Sequence, residues 1–133
     1  MNLFLDDIRM PRQATKVKLP LVEWTIVRNY EEFVRAVKTR GVPTRVSLDH
    51  DLGPEHYVHD WAGNNIKPEQ LTGYDCAKWL VNYCIEKGER FPEYYVHSMN
   101  PIGTANIHSY IRSAMEAIGE AVQAKEKVAN LKK

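Results

Sequence analysis

Acidic residues follow two short apolar runs of the sequence. The run Leu-Phe-Leu ends in Asp6 and Asp7, and the run Val-Ser-Leu ends in Asp49 and Asp51. An apolar run that ends abruptly in carboxylates is typical of a buried strand, and ligands of open α/β sheets bind at the carboxyl edge of the strands. Carboxylates gathered there would be hard oxygen ligands suited to Mg²⁺ or Mn²⁺. The pattern therefore predicts that these four aspartates form a divalent-cation site that carries out phosphoryl chemistry.

Two further polar residues stand beside the acids. Arg9 is expected to contact a phosphate bidentately, with an ion pair in a polar turn as the alternative. Asp49 and Asp51 alternate along an extended strand end, so they should point the same way, with His50 pointing the opposite way. His50 is predicted to act as a general acid or a metal ligand, or to orient Asp49 by a hydrogen bond.

A third polar stretch follows a later apolar run and leads into a helix. Backbone amides at the helix start would cradle a phosphate oxygen. The expected phosphate contacts are Ser98, Asn100, Gly103 and Thr104. The alternative is plain capping of the helix by Asn100, which needs no ligand. His97, at the strand end, is predicted to protonate a leaving oxygen, with a satisfied and partly buried histidine as the competing interpretation.

The elements that must position these groups alternate between strands and helices. Strands are predicted over 2–5, 21–27, 44–48 and 94–97, and helices over 29–41, over 72–88 and from 100 onward. Residues 8–20 contain two prolines and are predicted as loop, so the first crossover lacks its helix. The alternation predicts an α/β three-layer sandwich with a mostly parallel sheet of about four to five strands.

The length of 133 residues predicts a single domain. Residues 53–71 have no clear periodicity and are predicted to form a long loop, which in a compact domain is often a functional lid. The charged stretch 119–133 is predicted as a helical tail in solvent. Cys76 and Cys84 stand on one predicted helix, roughly 12 Å apart at helical rise, which is too far for a disulfide.

The charge balance excludes one class of partner. With 18 basic and 17 acidic residues the net charge is +1, which gives no electrostatic footprint for bulk DNA binding. A small nucleotide ligand needs only a few local charges and stays open. The sequence contains no secretory signal and no apolar run of membrane-spanning length, so a cytoplasmic protein without a membrane partner is expected.

Five segments of the sequence resemble one known family. In chain order they are LFLDDIRMP, a strand that bears a Trp, SLDHDLG, TGYDCAKWL and VHSMNPIGTANI, which together span nearly the whole chain. They look like the cyclic-phosphate processing receiver-like domain, a divergent relative of response-regulator receivers. The resemblance implies a receiver-like (flavodoxin-like), doubly wound fold. It also implies phosphoester processing on cyclic-phosphate nucleotides or RNA ends, in bacterial and phage contexts.

The resemblance also implies roles for individual positions. Asp6 and Asp7 match the acidic pair after the first receiver strand. Asp49 matches the phospho-acceptor, and Ser98 matches the hydroxyl residue that ends the fourth strand. A receiver holds its acyl phosphate with a Lys at the end of a further strand, and no apolar strand with a terminal Lys follows the last helix here. Phosphorelay signalling is therefore not expected.

These observations favour an enzyme, a metal-dependent phosphoesterase that acts on a cyclic phosphate. Asp49, His50 and His97 are the predicted catalytic residues, and Asp49 would either hold the metal or attack phosphorus itself. The alternative is a non-enzymatic module, either a receiver-like switch or a protein that sequesters a nucleotide or binds a host protein. The expected ligand is a small nucleotide or an RNA end, and no protein partner is identified.

Overall fold

Four parallel strands form the central sheet of the computed structural model, which describes residues 1–52, 58–59, 65–66 and 71–132. The strands are β1 (Asn2–Leu5), β2 (Thr25–Val27), β3 (Arg45–Leu48) and β6 (Glu93–Val96), in the spatial order β2-β1-β3-β6. A separate antiparallel pair consists of β4 (Val58–His59) and β5 (Asn65–Ile66). Apart from these two strands and Leu71, the residues of the predicted loop 53–71 lie outside the described part of the chain.

Three helices begin at residues whose side chains cap them. Helix α1 (Tyr30–Arg40) is capped by Asn29, α2 (Gly73–Lys87) by a reciprocal capping box, and α3 (Pro101–Leu131) by Asn100. These short polar side chains accept hydrogen bonds from amides that have no partner inside the helix. Helix α2 ends at Gly88, whose left-handed backbone (φ +65°) favours glycine. The local capping signals thus predicted the helix starts correctly.

The core lies on one face of the sheet. Leu3 and Leu5 of β1 pair in register with Val46 and Leu48 of β3, and these four side chains pack in one cluster with buried residues of all three helices. Side chains alternate along a strand, so Phe4 points to the other face. There it contacts Trp24, with ring centroids 6.2 Å apart. The segment between β1 and β2 therefore contributes to this second face, where a regular doubly wound fold has a helix.

The predicted fold class is confirmed, since the structure is a parallel α/β sheet with receiver-like topology. The first crossover contains only a short 3-10 turn at Pro11–Gln13, as expected for residues 8–20. The second strand runs parallel to β1 but is shorter than the predicted 21–27, because its pairing with β1 covers only Thr25–Val27. Leu21 is fully exposed.

Helix α3 continues to Leu131, so the predicted tail 119–133 is helical as far as that residue. Most of its side chains are exposed, but Val122 is buried, and Lys125 pairs with Glu89 at 3.0 Å. These contacts hold the start of the tail against the body of the domain. Among the described helices, none is both long and apolar enough to span a membrane.

Candidate active site

The carboxyl ends of three adjacent parallel strands bring three polar side chains together. Asp6 follows β1, Asp49 follows β3 and His97 follows β6, and all three are buried. One ligand atom from each lies within 4.8 Å of the others. The strand order explains this meeting, because β3 lies between β1 and β6 and all three end at the same edge.

Asp6 is held by hydrogen bonds on both carboxylate oxygens. Its Oδ1 accepts from the backbone amides of Ile8 (3.0 Å) and Arg9 (2.7 Å), and its Oδ2 accepts from Arg9 Nε (2.8 Å). Burial alone would raise the pKa of Asp6, but the two amides and the positive charge of Arg9 outweigh it and lower the pKa below 3.8. Asp6 is therefore an ionised, fixed carboxylate.

Asp49 is less completely bonded. Its Oδ1 accepts from the backbone amide of His50 at 2.8 Å and lies 3.5 Å from Nη2 of Arg9. Within the described residues, its Oδ2 accepts no hydrogen bond. Burial and the charge of Asp6 raise the pKa of Asp49 to about 6. Asp49 is thus the carboxylate of the pair that has a free oxygen to offer a ligand.

His97 lies beneath the two carboxylates and its ring is fully buried. Its Nε2 is 3.1 Å from Asp6 Oδ2, its Nδ1 is 2.6 Å from Ser47 Oγ, and its ring stacks on Phe4 with centroids 4.5 Å apart. Burial lowers the pKa of His97 to about 4, although the charge of Asp6 opposes this. Because ionised Asp6 can only accept, the Nε2 carries the proton and Ser47 donates to Nδ1.

Of the two interpretations of His97 given by the sequence, this geometry favours a histidine whose hydrogen bonds are satisfied inside the protein over a proton donor. The ring is neutral at pH 7, both nitrogens are engaged, and no edge of it is open to a leaving group. In this tautomer the Nε2–H orients Asp6. To bind a metal through Nε2, His97 would have to move its proton to Nδ1 and donate to Ser47 instead.

Two arginines position the turn after β1. Within the described part of the chain, Arg9 is the cation that contacts both carboxylates, with 21% of its side chain exposed. Arg28 Nη1 donates to the backbone oxygens of Asp6 (3.1 Å) and Arg9 (2.8 Å). Sequence reasoning missed Arg28. The feature that could have indicated a role for Arg28 is its position directly after β2, at the same edge of the sheet as the acids.

The side chains of His50 and Asp51 are not part of the cluster of Asp6, Asp49 and His97. The predicted common direction of Asp49 and Asp51 is therefore wrong. Strand β3 ends at Leu48, and the alternation of an extended chain does not continue beyond it. Asp51 is 67% exposed and bonds to Nδ1 of the His50 ring at 2.9 Å. His50 binds Asp49 through its backbone amide and not through its ring.

Asp7 is also outside the cluster that the described residues form, although it was predicted as a ligand. Its charge contributes to the raised pKa of Asp49. Only Asp6 and Asp49 of the four predicted aspartates are therefore brought within reach of one ion.

The predicted phosphate cradle at the start of α3 is used for capping. The amide of Asn100 donates to Ser98 Oγ (3.0 Å), that of Gly103 to the Asn100 side chain (2.9 Å), and that of Thr104 to the Asn100 backbone oxygen (2.9 Å). These amides are already satisfied within the chain. Gly103 serves another purpose, since a Cβ there would overlap with the His50 ring.

A family model described as the cyclic-phosphate processing Receiver domain matches residues 1–113. The chain belongs to this family. The match includes the whole central sheet and the cluster at its edge, and the family name points to a role in cyclic-phosphate processing. No curated protein and no solved structure matches the chain.

This cyclic-phosphate processing receiver domain departs from a phosphorelay receiver in its sheet. Within the described residues no strand follows β6, so no lysine is delivered to the edge from a further strand. A histidine stands beside the acids instead, and Arg9 is the cation that contacts them. Among the described residues, no lysine takes the place of the group that holds an acyl phosphate in receivers.

The donor set of this receiver domain fits a divalent cation. Two buried carboxylates 4.8 Å or less apart repel each other, and a shared cation relieves that repulsion. Carboxylate oxygens suit Mg²⁺ and Mn²⁺, and an imidazole favours Mn²⁺ over Mg²⁺. The guanidinium of Arg9 already contacts both carboxylates, so an ion at this position would compete with Arg9.

Proposed function

We propose that this receiver domain is a metal-dependent phosphoesterase that hydrolyses a cyclic phosphate on a nucleotide or an RNA end. The proposal rests on the buried Asp6–Asp49 pair, which faces the Arg9 guanidinium at the carboxyl edge of the sheet. A buried pair of carboxylates is costly to the fold unless a cation is shared between them. Such an arrangement is expected where it serves chemistry.

Asp6 and Asp49 would hold the cation, with Mg²⁺ or Mn²⁺ as the expected ions, while the Nε2–H of His97 keeps Asp6 oriented. The bound ion would supply a water of lowered pKa and would polarise the phosphorus. Asp49 contributes the open oxygen of the site. Asp6 contributes a negatively charged carboxylate whose orientation is fixed by hydrogen bonds from two backbone amides.

Of the described residues, Arg9 is the one that we assign to the phosphate. Its contact with Asp49 is long at 3.5 Å, whereas its Nε bond to Asp6 is 2.8 Å. The Nη2 end can therefore turn to phosphate oxygens while the Nε end stays anchored on Asp6. A planar guanidinium matches two phosphate oxygens and stabilises the charge that grows on them.

His50 is the proton donor of the proposed site, in place of His97. Its ring is 18% exposed, and its Nδ1 is bonded to Asp51, so Nε2 is the nitrogen available to a ligand. A carboxylate on one ring nitrogen fixes the tautomer and orientation of the other. Asp51 therefore acts as a positioning residue for His50 by accepting its Nδ1–H. As the doubly protonated imidazolium, His50 would give its Nε2 proton to the ribose oxygen as the P–O bond breaks, and would be left as the neutral ring with Nδ1–H on Asp51.

Direct turnover tests this function. The purified chain is incubated with 2′,3′-cyclic mononucleotides, cyclic dinucleotides and RNA that ends in a cyclic phosphate, with Mg²⁺, Mn²⁺, Zn²⁺ or EDTA, and products are followed by mass. We expect metal-dependent opening of a cyclic phosphate. Asp6→Asn and Asp49→Asn should each lower the rate by at least about 100-fold. Glu116→Gln, the same carboxylate-to-amide change at an exposed position of α3, is the matched control.

Three outcomes would overturn the proposal. Turnover that survives both aspartate variants would place the chemistry elsewhere. Tight, stoichiometric binding of a cyclic nucleotide without turnover would favour a sequestering protein. Stable labelling of Asp49 by acetyl phosphate would favour a receiver-like switch.

A further inference from the structure

We infer that a cavity at the same edge of the sheet as the carboxylate cluster binds the nucleobase of the ligand, an inference that rests on the proposed function. The cavity has a volume of about 400 Å³ and lies between the end of β6, the start of α3 and residues 16–17. This volume is within the range of small-molecule sites. Nothing in the proposed phosphate chemistry uses it.

The cavity and the carboxylate cluster are joined through one strand end. Ser98 lines the cavity, and the residue before it, His97, contacts Asp6 in the cluster. A ligand whose phosphate lies at Asp49 and Arg9 would have to pass over the end of β6 to place its base in this cavity.

Two polar groups of the cavity are available to the edge of a base, and a third lies behind the lining. The third is Thr104 Oγ1, a hydroxyl oxygen that is closed to solvent and has no hydrogen-bond partner in the described part of the chain, so a base would reach it only when the side chain turns. His108 Nδ1 is 3.1 Å from Tyr94 Oη, so Nε2 is the ring atom left for a ligand. The ammonium of Lys16 completes the set. A buried hydroxyl without a partner costs stability, which a ligand atom would restore.

The remaining walls are apolar and match the faces of an aromatic ring. They include Val17, Met99, Pro101 and Ala105. Among the described residues of the lining, Lys16 is the one charged side chain, because burial lowers the pKa of His108 and the charge of Arg112 adds to this effect. A second phosphate would call for several cations. Flat apolar walls with a few hydrogen-bonding groups at the rim suit a nucleobase instead.

The test compares ligands with and without a base. Affinities of the full chain for the four 2′,3′-cyclic mononucleotides and for glycerol 1,2-cyclic phosphate are measured in EDTA, so that turnover does not interfere. Ala105→Leu fills the cavity from an exposed helical position where leucine is a good helix former. Ala117→Leu, also exposed on α3 but outside the lining, is its matched control.

We expect Ala105→Leu to weaken binding of at least one cyclic nucleotide about tenfold, the effect of one lost favourable contact. Its affinity for glycerol cyclic phosphate should stay within about twofold of the parent chain. Thr104→Val, which removes only the hydroxyl, should weaken the same nucleotide. Equal weakening of both ligand types, or none of either, would overturn the nucleobase pocket.

A second measurement separates this inference from the proposed function. Free nucleosides carry no phosphate, so their binding is independent of the carboxylate cluster. Amide shifts at residues 98–108 on nucleoside addition would support the pocket even if the chain hydrolyses nothing. Turnover of cyclic phosphates with no dependence on the base and no nucleoside shifts would retain the phosphoesterase and reject the pocket.

Discussion

The Nε2 of His97 lies 3.1 Å from Oδ2 of Asp6, and both side chains are fully buried. Buried charges are tolerated when every lone pair has a partner, and His97 supplies the contact that the amides and Arg9 leave open. The pair joins the end of β6 to the end of β1 beneath the site. The acidic cluster therefore depends on a histidine that does not face the ligand.

The first prediction concerns the acid stability of this pair. The folded pKa of His97 is lowered to about 4 from 6.5, so the unfolded chain binds the proton more tightly. Its stabilising contribution is complete above pH 6.5 and is lost as the pH falls through about 4. We expect the NMR signals of the His97 ring to stay unchanged down to about pH 5 in EDTA. A midpoint near 6.5 would contradict the buried neutral ring.

Replacement of the ring tests its hydrogen bonds. His97→Phe can keep the stacking on Phe4, but it removes the hydrogen bonds that His97 makes with Ser47 Oγ and Asp6 Oδ2. The free energy of unfolding at pH 7.5 should fall by about 2–3 kcal/mol. This cost should shrink as the pH is lowered toward 4, where the parent chain loses its own contribution. A cost that is independent of pH would point to packing alone.

The second prediction concerns the repulsion within the carboxylate pair. The pKa of Asp49 is raised to about 6 from 3.8, so the folded chain binds this proton more tightly than the unfolded chain. Its stabilising contribution is complete below pH 3.8 and is lost as the pH rises through 6. Asp49→Asn should therefore raise the free energy of unfolding by about 1–2 kcal/mol at pH 7.5 in EDTA.

The control for this variant is the same comparison of variant and parent chain at a lower pH. Below pH 3.8 Asp49 is already neutral, so Asp49→Asn should leave denaturant unfolding unchanged there. Glu116→Gln, on the exposed side of α3, should change stability at neither pH. Loss of stability at pH 7.5 would mean that the Arg9 and His50 contacts of Asp49 outweigh its repulsion from Asp6.

Much of the fold was predictable because its signals are local. Asn29, Thr72 and Asn100 stand at helix starts and cap them as expected. The apolar runs before Asp6 and Asp49 are strands that end at one edge of the sheet, as the acidic endings indicated. Each of these features depends on neighbours within a few residues.

The features that the sequence did not predict depend on contacts between distant parts of the chain. Arg28 binds the turn after β1 only because β2 pairs with β1, and no local pattern announces that pairing. The burial of His97 follows from Ser47 and Phe4 of other strands. The direction of Asp51 could not be predicted by alternation, since the strand ends before it. Capping and phosphate binding at Asn100 use the same amides, so sequence alone could not separate them.

The third prediction concerns Arg28 as a positioning residue. Arg28→Gln removes the donor that holds the backbone oxygens of Asp6 and Arg9, so the turn after β1 should loosen. We expect a fall of about 1–2 kcal/mol in the free energy of unfolding and faster hydrogen exchange of the Arg9 amide. Arg28→Lys should rescue this only partly, because an ammonium lacks the planar fork. Full rescue by lysine would show that charge alone matters.

The last prediction concerns the glycine against which His50 packs. A Cβ at Gly103 would overlap with the His50 ring, whereas a Cβ at Gly119 of the same helix meets nothing within 4 Å. Alanine is the better helix former, so Gly119→Ala should stabilise the chain by about 0.5–1 kcal/mol. Gly103→Ala has the same helical benefit but must displace the ring, so we expect a net loss of about 1–3 kcal/mol. Because the displaced ring is also the proposed proton donor, Gly103→Ala should lower turnover as well, while Gly119→Ala should not. Equal effects of the two variants on unfolding by denaturant would mean that His50 does not need this space.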